Sequence, residues 1–352
     1  MAKRRVRTTR PRGKARKGPA KRARPAKVVR RGDIDKRKMY ELAVQGVEHE
    51  IDFVTREFKK LTGRDLRFLR EDFAASAAAA CEFVKRHRGN RAVALDIDKP
   101  VLEWGRRHNV GAMNEDQQGR ISLLLRNVMT PGREASGVDA VAAMNFSYWV
   151  FDTRESLLNY FKIVHRTMKR DGVLFMDAYA GWDADKLLTE RRRVYAKGSH
   201  FTYVWDQAEF DPFTNRIVCK IHFEFQKGPA LRNAFVYHWR LWSLAELFEL
   251  LKLAGFKKTT LYQEGDDKRG GGNGVFSPTR GKAEHCASQV VYLVAEKNGH
   301  TRTESPGNPN GLMIAAADLL DSLSRLLREA GYGDSAGGRG GGSGSGGDQA
   351  AG

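Results

Sequence analysis

From residue 66 to residue 176, short apolar runs alternate with longer stretches whose apolar residues recur every three to four positions. Extended and helical periodicities that alternate in this way predict strands joined by crossover helices, hence a parallel sheet covered on both faces. Leu66 to Asp72, Ala92 to Leu95, Ile121 to Leu125, Val138 to Met144 and Val173 to Met176 predict five strands. Phe73 to Arg86, Pro100 to His108 and Arg154 to Met168 predict the helices between them, the last closed by Asp171-Gly172. Ahead of the first strand, the spacing of Tyr40, Leu42, Val44, Val47, Ile51, Phe53, Val54 and Phe58 predicts one amphipathic helix from Met39 to about Leu61.

Beyond Gly181 the pattern changes. Phe201 to Phe210, Ile217 to Phe225 and Leu231 to Leu241 alternate apolar with polar residues and are separated by turn sequences, which predicts an antiparallel meander. A helix from Ser243 to Leu253 follows, with Ser243 and Glu246 spaced as a capping box and Gly255 as its stop. Two strands, Phe256 to Tyr262 and Gln289 to Ala295, close the main sheet as a hairpin around a glycine-rich loop from Gly265 to Gly281. A further apolar helix is expected over Leu312 to Ala330, ahead of a tail with 11 glycines in its last 22 residues.

Charge then divides the chain. Of 61 Lys and Arg, 15 fall in residues 1–31, where there is no Asp or Glu, so the formal +19 shrinks to +4 for the remainder. Dense like charge with Pro and Gly and few large apolar residues cannot offset ordering entropy, so residues 1–38 are expected to be a disordered basic tail. Fifteen positive charges on such a segment suit non-specific, salt-sensitive nucleic-acid association, with a solubility or targeting appendage as the plain alternative. Three cysteines without CxxC spacing argue against a disulfide framework or a structural zinc, and no HxH or HExxH spacing suggests a metal. With no run of 18 apolar residues and no secretory core at the start, the chain is expected to be soluble and cytoplasmic.

In an open parallel sheet ligands bind outside the carboxyl ends of the strands, where strand order reverses. The segments there are Arg70-Glu71-Asp72-Phe73-Ala74-Ala75-Ser76, Asp96-Ile97-Asp98, Arg126-Asn127-Val128, Asn145-Phe146-Ser147-Tyr148-Trp149 and Asp177-Ala178-Tyr179. An acidic residue ending the second strand is placed to accept hydrogen bonds from ribose hydroxyls.

On these segments, read as LREDFAAS, VALDID, LRNVM, VDAVAAMNFSYWVF, MKRDGVLFMDAYAG and LAELFELLKLAGFKKTTLY, the chain from about residue 40 to 297 resembles the class I S-adenosylmethionine-dependent methyltransferases. The resemblance implies an α/β fold: a Rossmann-like seven-stranded mixed sheet with helices on both faces, plus an antiparallel β-meander inserted at about 199–242, before the last two strands. It implies one domain over 39–298, with 299–330 as linker and helix and 331–352 as a flexible tail. The implied cofactor is S-adenosylmethionine, with Asp72, Phe73, Ala74, Ala75 and Ser76 at its methionine end. Asp96 and Ile97 would lie at ribose, Asn127 and Val128 beside adenine, and Asn145 and Phe146 on the methionine side. The family's first loop is usually glycine-rich, whereas this one reads Ala74-Ala75-Ser76.

The meander gathers aromatic residues suited to a substrate cover, so Tyr148, Trp149, Tyr203, Trp205, Tyr237, Trp239 and Arg240 are candidate substrate contacts. Asp177, His222 and Tyr148 are the candidate catalytic groups, with Glu209 as a further base. The expected reaction is in-line displacement onto an N or O nucleophile of a small molecule. A weakened methyltransferase-like protein whose tail binds nucleic acid, or a methyltransferase acting on nucleic acid or protein, remains the alternative.

Overall fold

Strands buried on both faces must be apolar throughout, and Val138–Ala143 is fully buried, as are four of the six residues of Arg91–Asp96. In the computed structural model, which describes residues 34–44, 46–196, 199–266, 272–279 and 282–299, these are central strands of an eight-stranded sheet. The strands are β1 (Phe68–Asp72), β2 (Arg91–Asp96), β3 (Ile121–Leu125), β4 (Val138–Ala143), β5 (Met168–Ala180), β6 (Leu188–Ala196), β7 (Ser199–Asp211), β8 (Arg216–Phe225), β9 (Leu231–Arg240), β10 (Lys258–Asp266), β11 (Gly272–Pro278) and β12 (Gln289–Glu296). The helices are α1 (Lys36–Val44), α2 (Val47–Thr62), α3 (Ala78–Arg86), α4 (Lys99–Gly105), α5 (Glu115–Gln118), α6 (Arg154–Thr167) and α7 (Leu244–Ala254).

The main sheet runs β11-β10-β12-β5-β4-β1-β2-β3 and is parallel from β5 to β3, with β12 antiparallel to both β5 and β10. Strand order therefore reverses between β1 and β4. Successive residues feed two opposite cores: Ala92, Ala94, Ala140, Ala142 and Phe175 meet α2 and α3, while Val93, Leu95, Val141, Leu174 and Met176 meet α6 and α7. Strands β6-β7-β8-β9 form a separate antiparallel sheet.

Four expectations are corrected. The predicted helix of residues 39–61 is two helices broken at Gly46, because its apolar residues serve different partners. Phe53, Val54 and Phe58 pack on the main sheet, whereas Met39, Tyr40, Leu42 and Val44 pack on the inserted sheet. The helix expected from Phe73 begins only at Ala78, since residues 73–77 form a turn. The insert starts at Leu188 rather than 199: β6, LTERRRVYA, carries three consecutive arginines and shows no apolar alternation, the charged character that keeps an edge strand from pairing further. The glycine-rich loop contributes an eighth strand, β11, whose Phe276 packs against Tyr292 and Phe53 (ring centroids 4.3 and 6.0 Å). The capping box of α7 is formed as expected by Ser243 and Glu246. Residues 1–33 of the basic tail, the helix expected at 312–330 and the final glycine-rich segment lie outside the described residues, while residues 36–38, expected within the disordered tail, open helix α1.

Candidate active site

At the carboxyl ends of β1, β2 and β4 the chain encloses a cavity of about 390 Å³, within the size range of small-molecule sites. Its shape comes from backbone. Phe73, Ala75 and Ala77 after β1, and Asn145 and Phe146 after β4, all have φ between 46° and 59°, the left-handed region that costs a side-chain-bearing residue about 1–2 kcal/mol. Strain of this kind persists where the surroundings hold it, and here each turn has its brace. Asp96 at the end of β2 accepts from the Ala75 amide at 2.7 Å, while the Ala74 amide donates to the Leu95 carbonyl at 2.9 Å. Asp177 on β5 accepts from the Asn145 and Phe146 amides at 2.8 and 2.9 Å.

The first of these turns is where a glycine-rich loop would take positive φ without cost. Ala74 points into the core, while the half-buried Ala75 forms part of the cavity wall and leaves the space beyond it open.

The wall is acidic. Glu50, Glu71, Asp72, Asp96 and Asp98 line it against a single cation, Arg37, among the described residues. Burial pushes Glu71 up to about 8, with Glu50 and Asp96 adding to the rise and the Ala80 amide opposing it. Burial also takes Glu50 up to about 8, helped by Asp177, and Asp177 itself to about 7 in spite of its two amide donors. Each of these carboxyls gains by meeting a positive charge.

A second cavity of about 150 Å³ adjoins the first, with Tyr40, Asn145, Tyr237 and Trp239 lining both. Its far side is the inserted sheet: cross-strand partners Trp205 and Ile221 face it together, as do Tyr203, Tyr237 and Trp239. Tyr237 and Trp239 stack at 4.2 Å. Helix α1 closes the space between sheet and turn. Its Glu41 accepts from the Ser76 hydroxyl at 2.8 Å and from Asn109 at 2.6 Å, Lys36 donates to the Ala234 carbonyl at 3.1 Å, and Arg192 of β6 donates to the Ala43 carbonyl.

The structure thus brings Asp72, Phe73, Ala75, Ser76, Asp96, Ile97 and Asn145 to one cavity, and Asn145, Phe146, Tyr203, Trp205, Tyr237 and Trp239 to its neighbour. Other candidates turn their polar groups away from these spaces. Asp72 borders the first cavity, but its carboxylate is held in the core, paired with Arg70 at 2.9 Å and accepting from Tyr160 at 2.9 Å, both groups fully buried. On an extended strand its neighbour Glu71 then faces the opposite way, toward the cavity. Asn127 is exposed and accepts from the Met129 amide in a local turn, Val128 is core, and neither lines the cavity.

Tyr148 is fully buried, its hydroxyl donating to the Asp177 carbonyl at 2.8 Å. Trp149 lies behind the wall, edge-on to Trp239. His222 pairs across the sheet with Val204, on the face opposite Trp205 and Ile221; its Nδ1 accepts from the Asn233 amide at 2.8 Å and its Nε2 lies 3.4 Å from Asp206. Glu209, past a bulge in β7, is exposed. Arg240 is spent on Glu246 (3.1 Å), the Asp152 carbonyl (3.2 Å) and the Trp242 ring.

Sequence reading missed Tyr40, Val44 and Glu50 from α1 and α2, and Glu190 from β6. Tyr40 and Glu50 had a signal, polar groups at the rim of an apolar helical stripe, but nothing local showed which element they would meet.

No protein-family model matches the chain, and no curated protein matches its sequence. Solved structures do match its fold. An amino pentose methyltransferase of Micromonospora echinaspora, solved with S-adenosylmethionine bound, superposes with a TM-score of 0.53 at 12% identity, over 74% of this chain and 95% of that one. A S-adenosylmethionine-dependent methyltransferase of Clostridium acetobutylicum gives 0.54 at 13%, over 75% and 98%. A sugar N-methyltransferase of Streptoalloteichus gives 0.51 at 13%, over 81% and 99%. The chain has the fold of the S-adenosylmethionine-dependent methyltransferases, as the sequence resemblance implies.

Proposed function

We propose that the protein is an S-adenosylmethionine-dependent methyltransferase that acts on an N or O nucleophile of a small molecule. The observation that carries this reading is the junction of two cavities at the strand-order reversal, one walled by carboxylates and strained turns, the other by aromatic rings. The acidic wall fits a cofactor that bears positive charge at both its amino group and its sulfur. Asp96 would meet the ribose hydroxyls, since each of its oxygens accepts a single backbone N–H and keeps acceptor capacity. Glu71 and the 73–76 turn would hold the methionine end, and the exposed Ile97 the rim beside the base.

When bound, the cofactor supplies an electrophilic methyl group. The chain's own contribution is placement and exclusion. The turns after β1 and β4 fix one partner, the inserted sheet and α1 hold the other, and the aromatic lining keeps water from the gap. Fold alone carries no substrate, so the acceptor's smallness rests on the second cavity's volume.

Calorimetric titration with S-adenosylhomocysteine tests the reading. The wild-type protein is expected to bind, and Asp96→Ala to lose about tenfold or more in affinity through the ribose contacts and the brace on Ala75. Absence of binding by the wild type at millimolar ligand sinks the proposal.

A further inference from the structure

The second cavity has a charge pattern that selects among nucleophiles. Among the described residues its lining contains no Lys, Arg or His, and its charged group is Glu190. The rest is aromatic, aliphatic and one amide. Aromatic faces attract cations through the ring quadrupole, and rings here already do so within the protein: Arg192 sits 5.3 Å from the centre of the Tyr203 ring on this wall, and Lys36 4.9 Å from that of Phe235 on the first cavity's wall. The rings of Trp205, Tyr237 and Trp239 line the space itself.

Glu50 lines the first cavity and not the second, close enough to act on Tyr40, which lines both, and among the described residues no hydrogen bond or ion pair engages its carboxylate. A half-buried carboxylate with no partner beside an aromatic box is complementary to an ammonium ion. A phenolate, carboxylate or phosphate-bearing head would meet repulsion there. A space of about 150 Å³ holds one six-membered ring or a branched head group.

We infer that the methyl acceptor is an amine, bound as its ammonium ion in this aromatic cavity, with Glu50 as the carboxylate that faces the nitrogen and takes its proton. The inference rests on the methyl-transfer reading above and narrows its substrate. In the step, an N–H bond breaks with the proton passing to Glu50. The freed nitrogen lone pair forms the N–CH3 bond as the methyl–sulfur bond breaks, its electron pair going to sulfur. Glu50 then returns the proton to solvent. No oxidant, metal or further reactant is needed for the balance. The groups facing Glu50 are Asp177 from β5, Glu71 from β1, Tyr40 from α1 and Tyr292 from β12, with Arg37 on the cavity wall. Asp177 and Glu71 already accept backbone N–H groups, so of these three buried carboxyls Glu50 is the one with no donor among the described residues; Glu190, on the second cavity, is exposed to solvent.

Choline and its neutral carbon isostere 3,3-dimethyl-1-butanol have nearly the same shape and differ in charge. Both are titrated calorimetrically into the full-length protein saturated with S-adenosylhomocysteine. Choline is expected to bind about tenfold tighter or better. Its affinity should rise with pH toward about 8, where Glu50 loses its proton, and then level off. Glu50→Gln should lose about tenfold in choline affinity and most of the pH slope while binding the neutral isostere as before. Equal affinity for the two probes overturns the amine assignment. A Glu50→Gln protein that still binds S-adenosylhomocysteine and retains both preference and slope overturns the role of Glu50. If S-adenosylhomocysteine does not bind at all, the methyl-transfer reading fails on its own, and the same probe pair on the free protein decides whether the cavity is a cation site.

Discussion

The two halves of the cavity are built by different means. On the β1–β4 side, backbone does the shaping: five residues in left-handed conformation, three of them held through their amides by Asp96 and Asp177. On the inserted sheet the backbone is regular, and side chains shape the space through the pleat, with Trp205, Tyr237 and Trp239 inward and His222 outward. The first half should tolerate few substitutions because each brace sets several residues at once. The second should be editable ring by ring. Helix α1 joins them, with Glu41 on the turn and Lys36 on the sheet.

The contrast can be tested through stability. Asp72→Ala, beneath the rigid half, should cost the most: it leaves the Arg70 guanidinium buried without its counter-charge, for about 3–5 kcal/mol in urea unfolding. A loss below about 1 kcal/mol would show that the strand-end frame is softer than described.

Within the turn itself, Ala75→Gly should stabilise the protein by about 0.5–1 kcal/mol. Relief of positive φ outweighs the larger entropy of the unfolded glycine. Ala74→Gly, at a buried position without positive φ, should destabilise. If both shift the same way, the strain is not where the backbone angles put it. The smallest effect belongs to the outer face of the insert. His222→Gln should leave S-adenosylhomocysteine and choline binding within about twofold of wild type, because its ring is separated from the cavity by the sheet. A large loss of either would break the division between the two faces.

The strand ends were legible because hydrophobic period and turn residues mark them locally, and Asp96 stands where that reading puts it. Residue-level facing was less so. Asp72 and Glu71 are adjacent acids, and which one enters the core depends on Arg70 and Tyr160, the latter 88 residues away. His222 and Ile221 are neighbours on one alternating strand, and only the side from which the sheet is covered tells inside from outside. Tyr148 and Trp149 follow β4 as expected, yet a short 3₁₀ turn over Ser147–Val150 carries both into the core.

By itself the sequence determined the five parallel strands, three of the four meander strands and the acidic strand end, because these depend on periodicity and turn chemistry within about twenty residues. Only the tertiary structure decided where the chain from 36 to 62 breaks, that Glu50 reaches the first cavity and Tyr40 the wall common to both, and which face of the inserted sheet meets them. Those outcomes depend on burial against elements more than a hundred residues distant, and a local pattern holds no information about which distant surface will cover it.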